Sequence, residues 1–578
     1  MKLLSAFIFL SVFTLSGFGQ AANDLSNLNE SPSRLRGAIE KFREDYGSID
    51  RFYTSPVSSN RAERLRKLYT DWEAFLAAQK FDALNHDEQI DYLLFKNFLA
   101  REKDQLSRYD EQLREMSSLI PFARAISDLE DSRRRLETID SAKTAKLLDE
   151  LNTQITALQQ SIKANKTSRP KRTVANRAAG TVGSLRRVLG NWYGFYTGYD
   201  PQFSWWNSDP YKTLDETLKK YQAFISEELV GIKADDKTTI IGDPIGRESL
   251  IKELGFEMIP YSPEELVEIA NKEFAWCEAE MKKASREMGY GDDWMKALEA
   301  VKNKYVEPGK QAELIRDQAY EAIEFVEKND LVTVPALMKE SWRMEMMSPA
   351  RQLVSPFFLG GETILVSYPT DSMTHEQKMM SMRGNNPHFT RAVTHHELIP
   401  GHHMQRYSIQ RHRPYRSMFY TPFWMEGWAL YWEFLLWDKD FIKTPEDKVG
   451  ALFWRMHRSA RIIFSLNFHL EKMTPQEAVD LLVNRVGHER DNATAEVRRS
   501  FAGNYGPLYQ IAYMMGGLQF YNLHRELVDS KKMTDKEFHD RILHEGPIPV
   551  EMVRAILTNQ KMTNETAAKW RFYGGLPN

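Results

Sequence analysis

Apolar residues recur at three- and four-residue intervals through Arg61 to Gln79 and again through Lys143 to Lys163, with charged residues on the opposite faces. That is the period of amphipathic α-helices, and it governs the whole stretch from about Pro32 to Lys163. Charge runs such as Arg133-Arg134-Arg135 read as solvated helix faces. The polar segment Lys163 to Lys171, with Pro170, reads as a loop. Asn191 to Tyr211 is aromatic and turn-rich, and helical patterning then resumes. Gly360 to Tyr368 is the clearest strand candidate, bounded by glycines and by Pro369. Two more long helical stretches follow, near Glu426 to Asp438 and Glu446 to His469. The sequence therefore predicts a mainly α, multi-helix fold with a small β-sheet in the later half, without internal repeats or low-complexity tracts.

The start of the chain is different in kind. Lys2 precedes an apolar run from Leu3 to Leu15, then Ser16, Gly17 and Gly19, which is the layout of a secretory signal. Gly19 and Ala21 are the small residues of a cleavage site after Ala21. The run is short for a membrane span, and an uncleaved anchor is the alternative. The expected organisation is a signal peptide at 1–21, an N-terminal helical region at 22–190 and a catalytic region at 191–578. The protein is expected to be exported, periplasmic or extracellular, with no stable membrane insertion after signal removal.

The 77 basic and 80 acidic residues nearly balance, which removes the electrostatic case for nucleic acid or anionic membrane as a partner. Cys277 is the only cysteine, so neither an intrachain disulfide nor a cysteine metal cluster can form. Any metal must be held by histidine and carboxylate.

Four of the 14 histidines, His395, His396, His402 and His403, fall within nine residues and flank Glu397. The string approaches H-E-x-x-H, in which histidines on adjacent helical turns bind zinc and the glutamate is the general base. Here two residues are inserted, so the second histidine stands at i+6. On an unbroken helix that position lies roughly 240° around and about 9 Å along the axis, too far to share an ion. Pro400 and Gly401 supply the remedy, since proline breaks the helix and glycine permits unusual backbone. A third ligand is expected on a later helix. Glu426 follows His402 by 24 residues in an aromatic, apolar segment, where a carboxylate is costly unless paired or metal-bound. Glu433 shares its helix face and could orient a ligand histidine. Arg383 and His388 precede the zinc helix in a Gly/Asn/Pro-rich loop that either contacts substrate or is purely structural.

His396-Glu397-Leu398-Ile399-Pro400-Gly401-His402-His403 and Glu426-Gly427-Trp428-Ala429 resemble the H-E-x-x-P-G-H-H and E-G-W-A blocks of the domain-of-unknown-function 885 family. Gly242 to Arg247, Ser381 to Phe389 and Tyr505 to Gly517 are similar to it as well, so the resemblance spans most of the mature chain. It implies a gluzincin-like, mainly helical zinc metallopeptidase with the small sheet beside the zinc helix. More distantly, the region resembles the peptidyl-dipeptidases that include angiotensin-converting enzyme. Aligning their Gly-His with Gly401-His402 makes His402 the second ligand, and aligning their His-x-Gln selects His403.

The mechanism this implies places one zinc per chain on His396, His402 and Glu426, with water in an open position and Glu397 as the base that later protonates the leaving amine. Tyr513 lies in Pro507 to Gly516, which resembles a P-x-x-Q-x-x-Y-x-x-G block, and is the candidate oxyanion donor, with Tyr509 and Tyr505 as weaker alternatives. The expected activity is zinc-dependent hydrolysis of peptide bonds, in short peptides. The alternatives are a non-catalytic metal- or peptide-binding protein, and a zinc hydrolase of a non-peptide amide. The strand at Ile364 to Tyr368 either pairs with substrate or is interior.

Overall fold

The computed structural model describes residues 33–574, apart from 166–168, 234–235, 237–238, 353–356, 503–504 and 566–567. The expected signal peptide at 1–21 lies outside the described residues. The first part of the chain forms α1 (Arg36–Phe52), α2 (Ser59–Ala77), α3 (His86–Met116), α4 (Ala123–Arg134), α5 (Ser141–Ala164), α6 (Arg172–Tyr196) and α7 (Pro201–Phe224). Their starts follow local chemistry. Ser58, Asn85, Asp140 and Asp200 each accept a hydrogen bond from a backbone N–H of the first turn, and Asn85 with Glu88 completes a capping box.

Further on come β1 (Arg343–Met346), β2 (Thr363–Val366) and the elements that carry the site. These are α8 (Pro387–Glu397), α9 (His402–Ile409), α10 (Pro422–Asp438), α11 (Pro445–His469), α12 (Arg490–Ala502) and α13 (Tyr509–His524). Asn386, Thr421 and Thr444 cap α8, α10 and α11, each followed by a proline whose missing N–H leaves no donor unsatisfied. The described residues thus fold as a mainly helical protein in which β1 and β2 pair in parallel, Arg343 opposite Thr363 and Met346 opposite Val366.

Three apolar cores hold these elements. One is made within residues 116–230, chiefly by α4 to α7. A second joins α1 to α3 to one side of α10 through Trp424, Trp428 and Trp432, and a third joins α8, α11 and α13 to its other side through Phe423, Leu430 and Phe434. Helix α10 is therefore apolar all round because it is surrounded. It lies so close to α13 that a Cβ on Gly427 would run into the backbone of Gly516, and one on Gly516 into the backbone of Phe423.

One expectation needs correction, and one open alternative is decided. Asn191 to Tyr211 is mostly helix: α6 runs to Tyr196 and α7 starts at Pro201, so the turn is confined to Thr197–Asp200, where Gly198 takes φ +89°. The boundary expected at 190/191 accordingly falls inside α6. The strand candidate is interior: β1 flanks it on one side, and on the other Leu359 and Leu365 exchange backbone hydrogen bonds of 3.1 and 2.7 Å. Its centre has no open edge for a substrate.

Candidate metal centre

Helix α8 ends on Glu397, and the next four residues leave helical geometry before α9 resumes at His402. Leu398 takes φ −110° and ψ −108°, and the Ile399–Pro400 peptide is cis. Gly401 N–H donates to His395 O at 3.0 Å, which folds the inserted residues back against α8. A side chain at Gly401 would overlap the carbonyl of His396, so this close approach requires glycine. From α10, Trp428 Nε1 donates to Pro400 O at 2.8 Å and clamps the turn.

The turn brings the i+6 histidine round. One ligand atom each of His396, His402 and Glu426 lie within 4.8 Å of one another, and all three residues are buried. Glu426 Oε2 is 3.6 Å from His396 Nε2 and 3.2 Å from His402 Nε2, and the two imidazoles are perpendicular. Their far nitrogens are engaged. His396 Nδ1 lies 2.7 Å from Glu433 Oε1, and His402 Nδ1 lies 2.9 Å from Gln405 Oε1. Gln405 Nε2 in turn donates to Trp424 O. Placing both imidazole protons on Nδ1 satisfies these acceptors and leaves both Nε2 lone pairs aimed at one point.

Two imidazoles and a carboxylate are the donor set of a catalytic zinc site, and bonds of about 2.0–2.2 Å in a tetrahedral arrangement would separate the ligand atoms by roughly the distances seen. The residues therefore fit zinc. Burial disfavours the ionised form of Glu426, yet the neighbouring His402 and His396 hold it well below the usual carboxylate range. Burial also opposes a charge on His396, and hydrogen bonds with Glu426 and Glu433 outweigh it and raise its pKa to about 9.

The other two histidines turn away. His403 Nε2 is 3.2 Å from Met338 O, which fixes His402 as the histidine beside Glu426. His395 is buried against Phe441, and burial pushes its pKa down to about 4. Arg383 pairs with Glu299 and Glu489, while His388 Nδ1 lies 2.7 Å from Asp447, so both serve the packing around the turn that precedes α8.

Glu397 and Tyr513 share a small cavity of about 60 Å³ with His396, and Glu397 packs against Gly360, where a Cβ would collide with it. The Tyr513 ring stacks on the His396 imidazole, with centroids 6.3 Å apart and planes 16° from parallel. Burial and the Glu426 charge raise its pKa, so its phenol keeps the proton. Tyr509, the weaker sequence candidate, donates its hydroxyl to Glu426 Oε1 and stacks on Tyr505. It orients the carboxylate, while Tyr513 faces the cavity. Sequence reasoning missed Arg458 and Arg461, which line the same cavity from α11. Three arginines at three-residue intervals, Arg455, Arg458 and Arg461, within the largely apolar stretch Ala451 to Phe468 were a readable signal.

Residues 45–557 match the family described as bacterial protein of unknown function, DUF885. The chain belongs to the DUF885 family. No curated protein matches the sequence. A solved chain from Shewanella oneidensis, described as a "putative lipoprotein of unknown function", has 17% identity and a TM-score of 0.68 over 90% of this chain and 98% of its own. Another from Colwellia psychrerythraea, likewise described as a lipoprotein, has 15% identity and a TM-score of 0.53 over 91% and 97%. At these identities the likeness is one of fold.

Proposed function

We propose that this DUF885 protein is an exported zinc-dependent peptidase of the gluzincin type, acting on short peptides. The observation that carries the reading is the convergence of His396, His402 and Glu426 beside a cavity that also holds Glu397 and Tyr513. One zinc per chain, held by those three residues, would polarise a peptide carbonyl and lower the pKa of a water towards about 7.

The chain's own groups supply the rest. Glu397 is half-buried at the end of α8 and accepts the proton of the attacking water, then delivers it to the leaving amine. Tyr513 keeps its phenolic proton and donates a hydrogen bond to the oxygen that gains charge. Glu433, Gln405 and Tyr509 hold the three ligand side chains in place. The lipoprotein descriptions of the two fold relatives and the signal-like first 21 residues support a place in the bacterial envelope.

The test is metal analysis and peptide digestion by the full mature chain, beside its Glu397→Gln variant. Wild type is expected to hold one zinc and cleave peptides. The variant is expected to keep the zinc and lose about 10²–10⁴ in kcat/KM, the range for removing a general base. Equal activity of the two proteins would overturn the role of Glu397, and a chain that binds no zinc would overturn the reading as a whole.

A further inference from the structure

Arg458 and Arg461 are both buried, and both guanidinium groups lie over the Tyr513 ring, at 5.0 and 4.5 Å from its centroid. Arg499 reaches the same cavity from α12. Their counter-charges are few. Arg461 Nε donates to Glu496 Oε1 at 2.7 Å, and Arg499 Nε lies 3.3 Å from the other oxygen of the same carboxylate. The nearest carboxylate to Arg458 is Glu433, at 3.8 Å, and the Glu433 oxygen concerned is already held by His396 Nδ1. Arg458 Nε has no hydrogen-bond partner. His457 and His488 are hydrogen-bonded to each other, and burial keeps both neutral, so they add no anion. A buried guanidinium left short of partners is unfavourable unless an anion completes it. Among the described residues no further carboxylate is paired with Arg458.

The position of this positive pocket says which part of a substrate meets it. Glu397, which returns the proton to the leaving nitrogen, lines the same cavity, so the group that enters is attached to that nitrogen. The space among the described residues is small, about 60 Å³, which suits a short terminal group. Three arginines outnumber the carboxylates Glu397 and Glu496 in its lining, which favours an anionic terminus over an amino terminus. On the peptidase reading above, we propose that Arg458, backed by Arg461, binds the free C-terminal carboxylate of the substrate, so that the enzyme is a carboxypeptidase releasing one residue at a time. Water adds its oxygen to the carbonyl carbon and the C–N bond breaks. The shortened peptide gains a carboxylate, and the proton passes through Glu397 to the amine of the released amino acid.

The experiment compares an N-acetylated oligopeptide as free acid, the same peptide as C-terminal amide, and an amidated peptide ending in glutamate, with products read by mass spectrometry. The zinc-supplemented full chain is expected to remove single residues from the free acid and to act on the amide about 10- to 150-fold less well in kcat/KM, the range for losing a charged hydrogen bond. R458M is expected to lower kcat/KM for the free acid, chiefly through KM, with R458K intermediate. Zinc content and thermal unfolding report whether each variant is folded. Equal cleavage of acid and amide, or internal cuts, would overturn the carboxylate pocket and leave the peptidase standing. Preference for the glutamate-ending amide would assign the pocket to an acidic side chain and overturn exopeptidase action. If no peptide is cut, the peptidase reading fails, and calorimetry on the zinc-loaded E397Q chain then decides the pocket. Selective binding of acid over amide supports it, and equal binding overturns it.

Discussion

Gly401 shows how one residue decides whether the histidine cluster can be a site at all. Its backbone lies so close to His396 that any side chain meets the carbonyl oxygen, which cannot swing aside as a flexible side chain would. Gly401→Ala is expected to destabilise the fold by about 1–3 kcal/mol through overpacking. Because the displaced group is the backbone of His396, on the proposed zinc site the affinity for zinc should also fall about 10- to 100-fold, as when ligand orientation is lost. Urea unfolding and chelator competition measure the two effects, and an alanine variant that binds zinc like wild type would refute the close approach. At this scale His396, Glu397, His402 and Glu426 were legible because their types and spacing imply one chemistry, and Pro400-Gly401 announced the break. The resemblance favoured His402 over His403, but the physical reason was not legible, since it depends on a carbonyl, that of Met338, brought from 65 residues away. The physical reason for preferring Tyr513 to Tyr509 was equally hidden, because both lie on one face of α13 and only their neighbours on α8, α10 and α11 distinguish them.

Elements were readable where one face is solvated. The charged faces of α2 and α5 made their period visible, whereas α10 and α11, buried along most of their length, were placed to within a few residues by the length of their apolar stretches. The stretch from Asn191 to Tyr211 misled because its aromatic, turn-rich composition is carried mostly on helix, with Trp205 and Trp206 exposed on α7. β1 went unnoticed because four mostly exposed residues with two charges carry no alternating apolar pattern. What no local pattern reveals is how elements clamp one another, and Trp428 is the case that bears on the site. Its indole N–H, on α10, satisfies the Pro400 carbonyl in the break between α8 and α9. Trp428→Phe retains most of the ring but strands that buried oxygen, for which the expected penalty is about 1–3 kcal/mol. Thermal unfolding with and without zinc should show a lower Tm in both states. An unchanged Tm would mean that the turn holds itself.

Across the whole molecule, the second and third cores meet at α10, and the third is tied together by buried charge as well as by apolar contact. Glu496 on α12 takes hydrogen bonds from Arg461 on α11 and from Gln510 on α13, with Arg499 beside it. Burial opposes its ionisation, but Arg461 and Arg499 outweigh burial and hold its pKa at about 2, against an ordinary value of 4.5. A carboxyl more acidic in the folded state contributes stability that is complete above the unfolded value and is lost as pH falls through the folded one. This contribution should therefore be full at pH 7 and decline between pH 4.5 and about 2. Glu496→Gln leaves the buried Arg461 and the half-buried Arg499 without their carboxylate, so at pH 7 it is expected to destabilise the protein by about 3–5 kcal/mol. As pH drops from 4.5 towards 2, wild type becomes protonated at this position and approaches the variant, so the gap should narrow. Urea unfolding of both proteins at pH 7, 4.5 and 3 follows the gap directly. A gap that stays constant across that range would show that Glu496 stabilises through packing alone, and that the arginines around the cavity do not depend on its charge.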